Sequence, residues 1–461
     1  MNDTSNTTLT NAKMSAMNPY SINCQRKLPW RTFEQTIDQG SLPHGAGFQE
    51  APTLDEINAR DTERQALIAA RQPAVKVHDE LMLSQIANTS DEALKSAYKK
   101  AYEGQRLSGE DGQKLLDRGD LNLLGWLATR AKRRFHPENK VSFLLDRNIN
   151  YTNICRIGCD FCAFYRRGHE QDSYVLPKEE IFKKIEETIE LGGTGTLMQG
   201  GVNPHLKIEY YEDLFRNIKE RYKIHLHCLS VIEIEGIAQV SRLTLEETLE
   251  RLKAAGLDSI PGAGAEILSD EIRLEQSPVK RHSHRWIKVM QAAHKANLPT
   301  TATMMFGALE ERKHIIEHIL RIRDAQDETK GFYAFILWTF QGEHTELLKK
   351  NPDLQPTTGA EYLRVLAVSR LMMDNIPNIQ GSWVTMGPKI GQISLHYGAN
   401  DMGSIMIEEN VVSAAGTSYT LDRKNMIELI RRSGFTPVQR DTYYNILAEH
   451  PESSDASAEG A

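Results

Sequence analysis

The sequence predicts an α/β protein: a partial or complete (β/α) barrel of TIM type, with an N-terminal helical segment and a C-terminal α/β extension. Three observations carry this. Short apolar runs alternate with amphipathic helices between residues 141 and 390, the mark of repeated βα units. At least six such units follow one another. Right-handed crossovers put every helix on the outside of a parallel sheet, so a long series curls into a partial or complete barrel.

The elements follow in order. Residues 1–75 are rich in Asn, Thr, Ser, Gln and Pro without a sustained apolar period, which predicts a disordered extension with one short helix near 54–71. Residues 76–140 form a helical lead-in, where Leu116, Leu121, Leu124 and Leu127 recur at helical spacing. The barrel proper spans 141–390. A strand at 142–145 or 150–153 enters a cysteine loop, and helix 178–191 follows with Ile181, Ile185 and Ile189 on one face. Then come strand 195–198, helix 208–221, strand 224–229, helices 232–239 and 245–255, and strand 258–260. That strand ends in the small-residue turn Pro261, Gly262, Ala263, Gly264, Ala265. Helix 283–296, strand 300–304, helix 311–323 and strand 332–337 complete the readable units. Residues 391–448 are expected to finish the barrel and the substrate pocket, and 449–461 to be a loose polar tail.

Composition excludes several classes. The chain is 40% hydrophobic and 25% charged, ample for a core, and its net charge of −7 is spread without the basic block that a nucleic-acid partner requires. No window approaches the ~20 apolar residues of a membrane span, and the opening residues lack a signal-peptide run, so a cytoplasmic protein is expected. Three of five cysteines fall within eight residues, which is no disulfide framework. Cys228 reads as a small buried hydrophobe, and His205, His225, His227, His282 and His284 as surface or packing residues.

The segment Cys155-Arg-Ile-Gly-Cys159-Asp-Phe-Cys162 presents three thiolates at the spacing C-x3-C-x2-C. A closed zinc site wants four ligands, and only His169 offers a fourth nearby. Zinc would make the chain a non-catalytic, metal-stabilised binding module, the rival from a different class. Thiolates also hold iron-sulfur clusters, where three ligands for four irons leave one iron open. An open iron can take the amino and carboxylate groups of S-adenosylmethionine and pass an electron into its sulfonium.

With this spacing and an aromatic residue between the second and third cysteines, the sequence resembles the radical S-adenosylmethionine (SAM) superfamily. The resemblance implies a 4Fe-4S cluster on Cys155, Cys159 and Cys162, with SAM as cofactor. It implies Phe161 beside the adenine, where the alternative is a core aromatic. It places Gln199-Gly200-Gly201, otherwise an ordinary βα turn, against the methionine end of SAM. Glu266 is expected on the SAM ribose, or else complements a helix N-terminus. Ser230 joins this cofactor-binding set with a similar ambiguity, as do Arg273 and Lys280, which either pair with a carboxylate or are simply solvated.

Longer runs narrow the likeness. Asp146 through Asn153, Trp338-Thr-Phe-Gln341, Ser382-Trp-Val-Thr385, and Gly398 through Asn410 resemble the cyclic dehypoxanthine futalosine synthase family of the futalosine route to menaquinone. The chain departs from that family at Val231-Ile232, where two prolines are common, at Gly342-Glu-His344 and at Met386. The resemblance implies that a 5′-deoxyadenosyl radical removes hydrogen from the substrate ribose, and that the sugar radical adds to the attached benzoate ring. The substrate would be dehypoxanthine futalosine and the electron donor a flavodoxin or ferredoxin. Trp338 or Trp383 is then expected to stack on the ring, and Gln341 and Asn400 to bind polar groups. Asp401 or Glu408 is expected to take the final proton. Aminofutalosine synthase and deazaflavin synthase are the sister activities to distinguish.

Overall fold

The computed structural model describes residues 78–451 apart from Pro278, Lys280 and Arg281. The expectations for residues 1–75, for most of the tail and for Lys280 lie outside the described residues. A helix over 78–87 opens the described chain. Helices Glu92–Glu103, Gly109–Arg118 and Leu121–Phe135 follow, each started by a side chain that accepts orphan N–H groups: Asp91, Ser108 and Asp120. The last of these packs Leu123, Leu124 and Leu127 toward helix Gly359–Met372, so the lead-in is a layer on the barrel's outer wall.

The strands are β1 (Lys140–Leu144), β2 (Asp146–Ile149), β3 (Gly195–Met198), β4 (His225–Cys228), β5 (Thr300–Phe306), β6 (Phe332–Thr339), β7 (Asn378–Gln380), β8 (Asp401–Ser404), β9 (Thr436–Arg440) and β10 (Ile446–Glu449). β1 and β2 are halves of one bent strand: β1 pairs with β8, and β2 hands the sheet on to β3 and β4. Single bridges, His227 to Ser259 and Ile260 to Thr300, carry it to β5. β6, β7 and β8 return it to β1. Every link is parallel, so the pairings run round a closed barrel.

The expected strand at 258–260 survives only as those two bridges. Asp258 takes the Leu226 N–H with its carboxylate at 2.7 Å, and Pro261 has no N–H to extend the ladder. The alternative at 150–153 is irregular, because Thr152 and Ile154 bridge instead to Val175 and Arg166 of the cysteine loop. Helix Arg312–Thr329 runs six residues past its expected end at 323. Helix Asp270–Gln276 was not anticipated, and β7 and β8, at three and four residues, are too short to show a period. Ile181 and Ile185 are buried as expected, whereas Ile189 is 40% exposed at the helix end.

At the end where the strands begin, β9 pairs with the free edge of β1, and β10 turns back antiparallel on it. This hairpin brings Arg440 to Asp401 and Tyr444 over the Arg440 guanidinium. His225 and His227 are packing residues there, each with a ring nitrogen 2.7 Å from Ser259 Oγ. Among the described residues no helix is long and apolar enough to cross a membrane.

Candidate active site

The cysteine loop leaves the C-terminal end of β2, the end at which barrel strands deliver catalytic groups. Its two limbs are zipped together: Cys155 N–H donates to Arg166 C=O and Arg166 N–H to Asn153 C=O, both at 2.8 Å. The Arg166 side chain donates to the carbonyls of Ala163, Phe164 and Tyr165, folding the far limb around itself. Cys162 N–H closes a turn on Cys159 C=O at 3.1 Å. Cys155, Phe161, Cys162 and Ile232 pack around Ile157, Cys159 and Val202 in a small apolar cluster separate from the main core. Phe161 also belongs to a second cluster with Met305, Phe340 and Trp338, and so links the thiols to the inner face of β5 and β6.

The glycine turn after β3 lies directly beneath this loop. A Cβ on Gly201 would stand 2.3 Å from Ile154 O and 2.9 Å from Cys155 Cβ. The glycine therefore serves close approach to the cysteine loop itself, a reason that the sequence did not reveal. Gly200 N–H donates to Glu233 Oε1 at 2.9 Å, and Tyr151 OH donates to the same oxygen at 2.6 Å. Glu233 Oε2 accepts Ser230 N–H at 2.7 Å, while Ser230 Oγ accepts Glu233 N–H in return. Ser230 is thus first a helix cap. Glu233, which burial pushes above the usual carboxylate range, is the residue that sequence reading missed. The Ser-x-x-Glu capping box was its available signal.

Glu266 is 8% exposed and holds a left-handed backbone, φ 45°, which a non-glycine residue adopts only where its surroundings compel it. Leu229 after β4 and Met406 after β8 share this feature, so strained turns recur around the rim. Arg273, 2% exposed, donates to Ala265 O at 2.5 Å and Gly264 O at 2.8 Å, bracing the turn that presents Glu266. Burial lowers the Arg273 pKa, and the charges of Glu266 and then Cys159 work against that.

The expected substrate residues divide. Trp338 lies partly buried at the end of β6. Gln341 lines a cavity of about 300 Å3 with Thr339, Thr385, Met386, Thr417 and Tyr419. Its amide donates to Thr339 O at 3.1 Å and accepts from Thr417 Oγ1 at 3.3 Å. A larger recess of about 700 Å3, next to it through Thr357, contains none of the expected site residues. Glu408, beyond β8, is held by Lys184 at 2.7 Å and by Asn410 at 2.9 Å.

Three residues are placed elsewhere. Trp383 is 1% exposed in the main core, its indole N–H donating to Ser404 O, so it presents no face for stacking. Asn400 is enclosed by Arg370, Ile379 N–H and Asn378. Asp401 is the first residue of β8, at the opposite end of the strand from the rim. It is fully buried, in a two-pronged pair with Arg440 at 2.6 and 2.8 Å. A carboxylate locked there cannot receive a proton from the barrel mouth.

Three thiols on one loop suit a cluster better than a single ion. Burial, then the Cys159 and Cys155 charges, pushes the Cys162 thiol up to about 11, so the sulfurs are near enough to oppose one another's ionisation and need a positive centre to hold them as thiolates. Yet among the described residues no three His, Cys, Asp or Glu side chains converge as ligands of one ion. Buried Gln276, beside the loop, has both amide atoms without a hydrogen-bond partner. By its chemistry, three soft sulfurs on one loop beside an unpartnered buried amide, the donor set fits a sulfur-ligated iron group.

Comparisons with known proteins agree. Residues 149–322 match the model of the radical SAM superfamily, and residues 329–453 that of the CofH/MqnC C-terminal region. The chain is 49% identical to the cyclic dehypoxanthine futalosine synthase of Halalkalibacterium halodurans, covering 76% of this chain and 93% of that one. It is 41% identical to the synthase of the same name from Streptomyces coelicolor, over 77% and 88%. To the aminodeoxyfutalosine synthase of Thermus thermophilus it is 36% identical, over 75% and 93%. Among solved structures, the FeFe-hydrogenase maturase HydG of Carboxydothermus hydrogenoformans shares the fold at TM-score 0.59 and 16% identity, over 82% of this chain and 86% of that one. Methylornithine synthase does so at TM-score 0.56 and 18%, over 74% and 97%. The chain belongs to the radical SAM superfamily, whose members use a 4Fe-4S cluster and S-adenosylmethionine, and within it to the group that carries the CofH/MqnC C-terminal region.

Proposed function

We infer that this chain converts dehypoxanthine futalosine to its cyclic product, the activity named for its relatives at 49% and 41% identity. One observation carries the choice over the sister activities: identity falls to 36% for the aminodeoxyfutalosine synthase and 39% for a hydroxyphenyl transferase of similar coverage. When bound, the cluster and SAM supply a carbon radical that removes a hydrogen atom from the substrate ribose.

The polypeptide's part is to hold and enclose. Cys155, Cys159 and Cys162 would hold the cluster, and three protein ligands for four irons would leave room for the methionine end of SAM. Gly200 and Gly201 keep the floor beneath that corner low, Phe161 lies along the adenine, and Glu266, braced by Arg273, accepts from the ribose hydroxyls. Ser230 caps the helix on which this floor rests. Trp338 stacks on the benzoate ring, and Gln341 with its hydroxyl neighbours receives the polar groups in a cavity without a charged side chain. Closure of the barrel matters because a primary radical attacks any nearby C–H bond, so the target must be held in contact and water kept away. Of the two carboxylates that follow β8, Glu408 and Glu409, Glu409 is taken up by the backbone N–H groups of Val411, Val412 and Ser413, and we assign the closing proton to Glu408. The electron comes from a cytoplasmic flavodoxin or ferredoxin. The working unit runs from the lead-in at 76–140 through the barrel at 141–390 to the completing segment 391–448.

The test is anaerobic. Reconstituted protein with SAM, dithionite and dehypoxanthine futalosine should release 5′-deoxyadenosine in step with the cyclic product, and Cys159→Ala should lose both together with its iron. Turnover only with a substrate of one of the sister enzymes would refute the assignment.

A further inference from the structure

The second cysteine is not held by the loop alone. Ser277, at the C-terminal end of helix Asp270–Gln276, directs its hydroxyl at Cys159 Sγ over 3.1 Å, and both residues are buried. The geometry is fixed from two sides. Ser277 N–H donates to Arg273 C=O at 3.1 Å, and Asp160 N–H, next to Cys159, donates to Gln276 C=O at 3.3 Å. The loop and the helix end are therefore bound to each other by main chain, and the hydroxyl has no need to search for its acceptor. Arg273, one turn earlier, lies within electrostatic reach of the same sulfur.

On the cluster reading of Cys155, Cys159 and Cys162, this contact has a consequence for electron transfer. One electron added to the cluster increases the negative charge on its thiolate ligands, and a hydroxyl donor stabilises the more negative state more than the less negative one. Hydrogen bonds to ligand sulfurs are among the recognised determinants of cluster potential. We propose that Ser277 is a positioning residue whose O–H donates to the Cys159 thiolate in the loaded protein and raises the cluster's reduction potential, easing the entry of the electron that SAM cleavage consumes.

The experiment uses the full chain with its cluster reconstituted. Wild type, Ser277→Ala, Ser277→Val and Ser277→Thr are titrated with dithionite in the absence of SAM, and the reduced cluster is followed by its paramagnetic resonance. Val and Thr share a volume and differ in the hydroxyl, so any cost of size cancels between them. At a fixed poise, the Ala and Val proteins should show about a tenfold lower ratio of reduced to oxidised cluster, a fall of about 59 mV for a one-electron couple. Thr should stay near the wild type. Ala and Val proteins that carry full iron and sulfide at the wild-type potential would overturn the role of Ser277 alone. A wild-type chain that takes up no iron and sulfide would overturn the cluster reading with it.

Discussion

Gly201 has no room for even a methyl group, because the obstacle at 2.3 Å is the main-chain oxygen of Ile154 rather than the end of a flexible side chain. Gly201→Ala must therefore push the cysteine loop off its floor while leaving the helices intact. We expect unchanged far-ultraviolet circular dichroism but loss of most reconstituted iron and sulfide; the same change at Gly434, where φ of 82° brings backbone strain but no clash within 4 Å, is the control for strain away from the loop. The opposite case is Asp401. Burial works against the charge of Arg440, but Asp401 outweighs it and raises the Arg440 pKa above its ordinary value. Removing one partner strands the other in a dry site, so Asp401→Asn or Arg440→Ala should cost about 3–5 kcal/mol in urea unfolding. A loss of turnover without loss of stability would restore Asp401 to the chemistry. The three cysteines were legible because their spacing is itself chemical information. Asp401 was singled out from a sequence run and not from a strand: β8, at four residues, was not read, so the sequence did not show that Asp401 begins it, away from the rim.

Elements with a long period and a marked start were readable before the structure. Helix Ile208–Arg221, helix Leu245–Ala255 and strand β3 fall at the residues the pattern indicates. Those that tertiary contacts define were not: the seven-residue helix that carries Arg273 and is followed by Ser277 has less than two full turns in which to show a face. The start of helix Val231–Ser241 lies between these extremes. Ser230 was singled out in the sequence, but not as its cap, nor was the use made of Glu233, whose two oxygens gather N–H groups from Gly200 and Ser230 and the hydroxyl of Tyr151. Glu233→Gln replaces one acceptor oxygen with a donor that faces other donors, leaving a buried group unpaired at a cost of about 1–3 kcal/mol. Because the affected turn is the one assigned to the methionine end of SAM, the KM for SAM should rise several-fold with a smaller change in kcat. Equal falls in kcat at unchanged KM would contradict that placement.

At the scale of the whole molecule, a barrel that closes on itself encloses polar residues as well as apolar ones, and this sets how stability responds to pH. The two family matches lie at 149–322 and 329–453 and the proposed working unit begins at 76, so deletion of the N-terminal 75 residues should leave turnover unchanged. Within that unit, burial pushes His227 and His318 down to about 3 and His225 and His294 down to about 4. An unfolded histidine titrates near 6.5, so below that pH the unfolded chain binds protons that the folded one refuses. Stability from these groups is complete above about pH 6.5 and is lost as pH falls toward 4. Asp146, raised by burial to about 6, acts in the opposite direction between its ordinary value of 3.8 and 6, as do Glu233, Glu310 and Glu409, which burial also raises. The histidine effect therefore stands clearest just below pH 6.5, before the carboxyls begin to compensate. His318 isolates it: Nδ1 accepts Leu268 N–H at 3.0 Å, a bond that Asn can reproduce without a titrating ring. The unfolding free energy of His318→Asn should fall less steeply with acid than that of the wild type. The difference approaches about 1.4 kcal/mol per pH unit below pH 6, the value of one proton. Urea denaturation of both proteins at pH 7.5, 6.5 and 5.5 reads it directly, since acid damage to the cluster is common to both and cancels. Parallel slopes would mean that His318 is protonated in the folded barrel, and that burial there is less complete than its surroundings indicate.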